Sequence, residues 1–387
     1  MLKEAGVKVL LQSSVINTLR GGSKINGVIV QNKSGQQAIY SDIVIDCSGD
    51  GDVALHGDVA WEKGRISDGL VQVPTLTFRL GGVNRQKLID LCKDRRHNFR
   101  EWLMPYPDVW EKTINRLHQM PVFLVEGFAD IVLEARNKGN LSIPESRVVG
   151  VMLHRPDQFL VVMTRVLGLD PTNANKISQA YEKTYNQISE LVTFFKEWVP
   201  GFENTFLLEI SPLLGIRESR RIIGDYMLTS EDLLQGKEFS DVVALGGYHI
   251  DIHRPSGTWI ESRNVETYDI PFRCLIAREV DGLMMAGRCI SATHEALAST
   301  RVIPICMAQG QAAGTAAALA VKGALSPREI NVKDLQKSLL NQGVELRQSL
   351  GQPDPAIIEV VGKLPKEYKQ TTGEADDISK SRENWIM

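Results

Sequence analysis

Apolar and polar residues alternate in short runs at the start of the chain. Val7–Leu11, Ser14–Arg20, Lys24–Asn32 and Gln36–Ser41 carry this two-residue rhythm, which predicts strands. Gly21-Gly22 and Ser34-Gly35 mark reversals between them. Met1–Gly6 reads as a closing helical turn with Gly6 as its stop. Ile43–Cys47, IVIDC, abandons the alternation. A continuous apolar run with one acid suits a strand buried on both faces. It feeds directly into SGDGDVALHG.

Past Trp61 the pattern mixes periods. Val73–Leu80, Arg147–Leu153 and Phe159–Leu167 read as strands. Pro171–Trp198 has a helical period, with Ile177, Tyr181, Ile188, Leu191 and Phe195 near one face and Pro200-Gly201 as its stop. The stretch GLMMAGRCISATHE (Gly282–Glu295) begins as a buried strand and breaks at Gly287 into a dense polar loop. Ile303–Lys322 reads as a helix, with Pro304 in its first turn and Gly323 at its end. Its Gly310 and Gly314 match a membrane packing face in spacing only. Gln309, Gln311 and the weakly apolar alanines argue instead for close backbone approach to a sheet or cofactor. Val332–Leu350 is predicted as a last helix, and Lys366–Glu383 as an exposed arm.

The expected division is a first part of one domain over 1–60, an inserted α+β substrate domain over 61–270, the rest of the first domain over 271–350, and a polar tail over 351–387. The 387 residues are 43% hydrophobic and 24% charged, an ordinary globular composition. A net charge of -3 offers no basic field for nucleic acid. The five cysteines include no C-x-x-C pair, which argues against a disulfide framework, a zinc site and a redox pair. No metal, nucleic acid or membrane partner is expected. The expected partners are a small-molecule substrate and, at an uncovered sheet edge, a second copy of the chain. With no visible signal peptide, the expected compartment is the cytoplasm.

Two segments carry candidate chemistry. Gly49-Asp50-Gly51-Asp52-Val53-Ala54 formally matches G-x-G-x-x-A, but the segment after it is too short and Gly-broken for the long helix a main pyrophosphate loop needs. It reads as a plain turn or as an auxiliary contact to a dinucleotide held elsewhere. The second segment, AGRCISATHEALASTRVIPICMAQGQAAG, is a strand, a polar loop and a small-residue helix. A helix N terminus attracts negative charge, which suits the reduced flavin. His294 is the first catalytic candidate, because histidine is the residue type most used as a general base or acid, with a loop-orienting role as the alternative. Arg301 and Arg288 could hold a substrate carboxylate or the flavin edge, or form salt bridges. In GIRESRRIIGDY, strand alternation puts Arg217 and Arg221 on one face and Arg220 on the other, and one of the three, Arg220, is taken as a site residue.

The segments DIVIDCSGDGDVA (Asp42–Ala54), VPTLTFRLGGV (Val73–Val83), GIRESRRIIGDYMLTSEDL (Gly215–Leu233) and Ile270–Ala320 resemble the FAD-dependent oxidoreductase family of the glutathione-reductase-type flavoprotein fold. The resemblance implies an α/β FAD/NAD(P)-binding-type sheet with a three-stranded meander and the inserted domain. It implies FAD at Val15, Ser48, Gly49, Asp50, Gly287, Arg288, Gly310, Gln311 and Ala312, and hydride or electron transfer between an organic substrate and flavin. The family opens with a βαβ unit bearing G-x-G-x-x-G, which this sequence does not contain. The expectation is therefore an N-terminally truncated chain with weakened FAD binding, or a cofactor-free, non-catalytic relative of the fold.

Overall fold

The computed structural model describes residues 1–95, 115–255 and 260–347. The polar tail and the Lys366–Glu383 arm lie outside these residues. Val7–Leu11, expected as a strand, is not one. No described strand pairs with it, and Val7, Val9, Leu10 and Leu11 are exposed, so extended backbone there gains nothing over contact with water. Strands β1 (Ser14–Gly21), β2 (Lys24–Asn32) and β3 (Gly35–Tyr40) form an antiparallel sheet in that order. Gly27 in β2 has a φ of 148°, and a Cβ there would stand 2.1 Å from the Ile39 carbonyl oxygen, so only glycine lets β3 close on β2. β4 (Val44–Asp46) then leads through the Ser48–Gly51 turn into α1 (Asp52–His56), a five-residue helix ended by Gly57.

β5 (Trp61–Lys63) is followed by β6 (Phe78–Gly81), α2 (Arg85–Asp94), β7 (Phe123–Gly127), α3 (Ala129–Asn137), β8 (Val148–Met152), β9 (Phe159–Val161), α4 (Ala174–Trp198) and β10 (Phe206–Ile210). Five of these strands form one antiparallel sheet in the order β10-β6-β9-β8-β7. The strand expected over Val73–Leu80 narrows to β6, with Thr75 bridging singly to Gly215, and that over Phe159–Leu167 narrows to β9. α4 starts later than Pro171 because the Asn173 side chain caps it, accepting from the Lys176 amide. Its buried Ala180, Thr184, Ile188, Leu191 and Phe195 recur every three or four residues, as a helix against a sheet requires.

β11 (Arg220–Ile222) returns to pair with β5. Then come α5 (Ser230–Leu234), β12 (Val242–Gly246), β13 (Ile250–His253), β14 (Ile260–Arg263), β15 (Tyr268–Pro271), β16 (Leu283–Met285), α6 (His294–Thr300), α7 (Ile303–Gly323) and α8 (Val332–Asn341). The last helix is shorter than expected, since the Gln342–Gly343 turn ends it at Asn341; residues 348–350 of the expected span lie outside the described residues. Among the described residues there are two cores. One runs from Leu76 to Leu214. The other joins Ile25–Val59 to Ile222–Leu339. No single helix among the described residues is long and apolar enough to cross a membrane; α6 and α7 together have the length but meet at 93°.

The middle core is organised by aromatic rings that meet tilted or edge to face. Phe195 is fully buried, with ring centroids 4.8 Å from Phe202, 5.5 Å from Phe194 and 6.0 Å from Phe159. Phe195→Ala should lower stability by about 3–5 kcal/mol, read as an earlier urea midpoint at unchanged slope. Leu133→Ala, on an exposed position, should leave the midpoint almost in place.

Candidate functional site

Parallel pairing decides where the two candidate segments meet. Leu283, Met284 and Met285 of β16 pair with Val44, Ile45 and Asp46 of β4. Parallel strands end on the same side, so the Cys47–Gly51 and Ala286–Arg288 loops emerge together. The buried Asp46 carboxylate folds its own loop back, accepting from the Ser48 amide (2.9 Å), the Ser48 hydroxyl (2.7 Å) and the Val53 amide (3.0 Å). The Ser48 hydroxyl oxygen accepts in turn from the Asp50 and Asp52 amides. Gly49 sits at φ 77°, and a Cβ there would stand 2.5 Å from Arg288 Nη2. The Arg288 guanidinium therefore lies across bare glycine, 3.7 Å from Asp50. Burial pushes the Asp50 carboxyl up, opposed by Arg288.

The second loop is held from below. Gly287 has a φ of 90°, and its amide donates to Gln309 Oε1 at 2.8 Å. Gln309 is fully buried on α7 and also donates to the Thr300 carbonyl (3.2 Å). Sequence reasoning gave Gln309 no site role. Its signal was an amide among small apolar residues on a helix, where a buried side chain must find partners. Gly310, Gln311 and Ala312 were expected to act together, but helical geometry turns each about 100° from the last. Open space lies where a Gly310 side chain would stand, Ala312 is buried in the core, and Gln311 points to Gln342 (3.1 Å). Val15 lies half-buried against the same core on β1.

Arg288 and Arg301 share a cavity of about 270 Å³ with Thr75, Thr77, Val162, Gly215, Ile216 and Arg217. The arginine of the GIRESRR segment in this cavity is Arg217, not the expected Arg220. Arg217 precedes β11, so strand alternation does not govern it. It donates to the Val73 carbonyl and to Thr75 Oγ1 (2.8 Å). Burial, reinforced by nearby Arg301, pulls its guanidinium down to about 9. Arg220 instead pairs with Asp52 of α1 (2.6 Å). Arg301 donates to the Asp251 carbonyl (3.0 Å) and approaches the carboxylate at 3.3 Å. Burial works to raise Asp251, but His253, Arg301 and Arg217 outweigh it and hold it below the usual carboxylate range. Burial and the Arg217 charge hold His253 down to about 3.

His294 does not line the cavity. It opens α6, is 4% exposed, and places Nδ1 2.7 Å from Glu218 Oε2. That contact is short but poorly aligned; the aligned bond to Oε2 comes from the Gln72 amide at 2.9 Å. Glu218 also pairs with Arg221, which reaches the Ala292 carbonyl (2.8 Å), Glu62 and the Gly64 carbonyl (both 3.0 Å). Among the described residues no cluster of His, Cys, Asp or Glu could hold a metal ion.

The sequence model described as FAD dependent oxidoreductase matches residues 1–339. No curated protein matches the chain. Among solved structures, the myxobacterial chondrochloren halogenase CndH, a variant of FAD-dependent halogenases, is similar at 11% identity with a TM-score of 0.34. That similarity covers 87% of this chain and 52% of the halogenase, so the chain spans about half that relative's length.

Glu218→Ala leaves Arg221 buried with less compensation, and the expected loss is about 3–5 kcal/mol in chemical unfolding. Acid should destabilise the fold through His253. Its folded-state value lies below the ordinary 6.5, so on acidification the unfolded chain binds the proton first. That stability is complete above about pH 6.5 and is lost as pH falls toward about 3. His253→Gln should flatten the upper part of this slope in melting temperature against pH.

Proposed function

The chain belongs to the FAD-dependent oxidoreductase family, and on that premise we propose that it is a flavoenzyme working where the two parallel-strand loops meet. The observation that carries this reading is Arg288 lying across Gly49 at the carboxyl ends of β4 and β16. The surroundings fit a flavin nucleotide. Gly287 and Gly310 present bare backbone with no atom within 4 Å of where a side chain would begin. Arg288 Nε is buried without a hydrogen-bond partner, and the N terminus of α7 has no side-chain cap. Bare backbone admits a flat ring, and an uncapped helix end and a guanidinium favour its electronegative edge or its phosphates.

FAD, when bound, would supply a ring that takes or gives two electrons. This chain's residues would do the rest. Ser48, Gly49, Asp50, Gly287, Arg288 and Gly310 form the cofactor surface, and the buried Ala312 and half-buried Val15 support it through the core they share. Arg301 faces the adjoining cavity and is the residue proposed to contact substrate. His294, fixed against Glu218, is a positioning residue that holds the start of α6 and so the loop before it. Arg220 steadies the Ser48–Gly51 turn through Asp52.

The test is the visible absorption spectrum after incubation with excess FAD and desalting. Flavin bands should persist. Arg288→Ala should weaken retention roughly ten- to a hundredfold, the worth of one hydrogen bond to a charged group. A wild-type protein that stays colourless at every FAD concentration sinks the reading and leaves a cofactor-free relative of the family.

A further inference from the structure

We propose that the cavity between the two cores, lined by Arg217, Arg288, Arg301, Thr75 and Thr77, binds the carboxylate of a small organic acid, which is the substrate of the flavin site next to it. The inference rests on the flavoenzyme reading for the word substrate, but not for the binding site itself.

The balance of charge favours an anion. Three guanidinium groups line a cavity of about 270 Å³, and no carboxylate lines it. Two acids stand nearby. Asp251 is shared between Arg301 and His253, each at 3.3 Å, and Asp50 lies 3.7 Å from Arg288. Among the described contacts Arg217 has only neutral hydrogen-bond partners, the Val73 carbonyl and the Thr75 hydroxyl. No carboxylate closes on Arg217 as an ion pair, and Asp251 and Glu145 act on it only from farther away, so its charge is incompletely compensated in a partly buried space. A bound monoanion would balance it.

An unused donor favours a carboxylate in particular. Nε of Arg301 is buried without a hydrogen-bond partner, and Arg288, whose free Nε is assigned to the flavin, adds its charge to the same wall. Guanidinium groups offer paired N–H donors that match the two oxygens of a carboxylate. The Thr77 hydroxyl, 2.6 Å from Ser211 Oγ, adds a neutral polar contact on the same wall.

Size and place favour a small acid beside the flavin surface. The pocket is open to solvent, and its volume of about 270 Å³, just under the usual range for ligand sites, is enough for an acid of a few carbons. Val162 and Ile216 supply apolar surface for a short carbon chain. Arg288 belongs to both the cavity and the Gly49 contact, so a molecule held here adjoins the proposed flavin surface. Both cores contribute walls, Thr75 to Arg217 on one side and Arg288 with Arg301 on the other.

The experiment is calorimetric titration of the purified full chain with acetate, lactate, succinate and citrate, and separately with inorganic phosphate and with FAD. At least one carboxylate should bind saturably. Arg217→Gln should weaken that binding at least tenfold and leave FAD retention unchanged. Val162→Phe fills the cavity without disturbing a buried charge and should give the same loss if Arg217→Gln fails to fold. Lys196→Gln, on the outer face of α4, should change nothing. Absence of binding by all four acids, or equal binding by wild type and both cavity variants, overturns the proposal. So does selective loss of phosphate and FAD binding, which would make the cavity a phosphate site of the cofactor. Carboxylate binding by a protein that never retains FAD would support the site and overturn the flavoenzyme reading alone.

Discussion

A single fully buried carboxyl group, that of Glu218, ties three separate stretches of the chain together. It accepts from the Gln72 amide, pairs with Arg221 and lies against His294. Arg221 carries the connection onward to Glu62, Gly64 and Ala292. An acid and a base in a dry interior are stable only as a satisfied set, and each partner fixes the position of the next. The set therefore locks the crossing strand β11 to the start of α6, and with it the polar loop that follows β16.

The cavity depends on that lock. Its walls come from the segment around Thr75, from Gly215–Arg217 and from the loop and helix after β16. Glu218 and Arg221 sit one and four residues past Arg217. Fixing them fixes the backbone from which Arg217 enters the cavity. Gln309 does the same for the other wall, through its bond to the Gly287 amide. The basic cluster GIRESRR thus divides its labour: Arg217 to the cavity, Arg220 to Asp52, and Arg221 to the core.

Much of the architecture was legible in the sequence because local chemistry dictated it. The apolar run GLMM lacks alternation because the strand it forms is covered. IVIDC, expected to be buried on both faces, pairs with it in parallel but is only half-buried, because β4 has a single strand neighbour among the described residues and Cys47 is exposed. The helical period of Ala174–Trp198 matches its buried face, and Pro304 and Gly323 lie at the two ends of α7. The expected strand at Val7–Leu11 failed for the opposite reason. Alternation states which faces a strand would have, but a strand forms only when another supplies its hydrogen bonds.

Residue order alone was enough for the mixed α/β elements, the glycine-bearing loops at the ends of two parallel-paired strands, and the family resemblance carried by those loops. It also singled out Arg288 and Arg301, which the fold brings to the wall of one pocket. Folding was needed to select which arginine of a cluster joins them and to turn His294 inward to Glu218. Folding also makes Gly310, Gln311 and Ala312 look in three directions. The physical reason is common to these cases. A charged or polar side chain takes its role from the partner that offsets its burial, and those partners lie far away in sequence: Glu218 from His294, Val73 from Arg217, and Asp52 from Arg220.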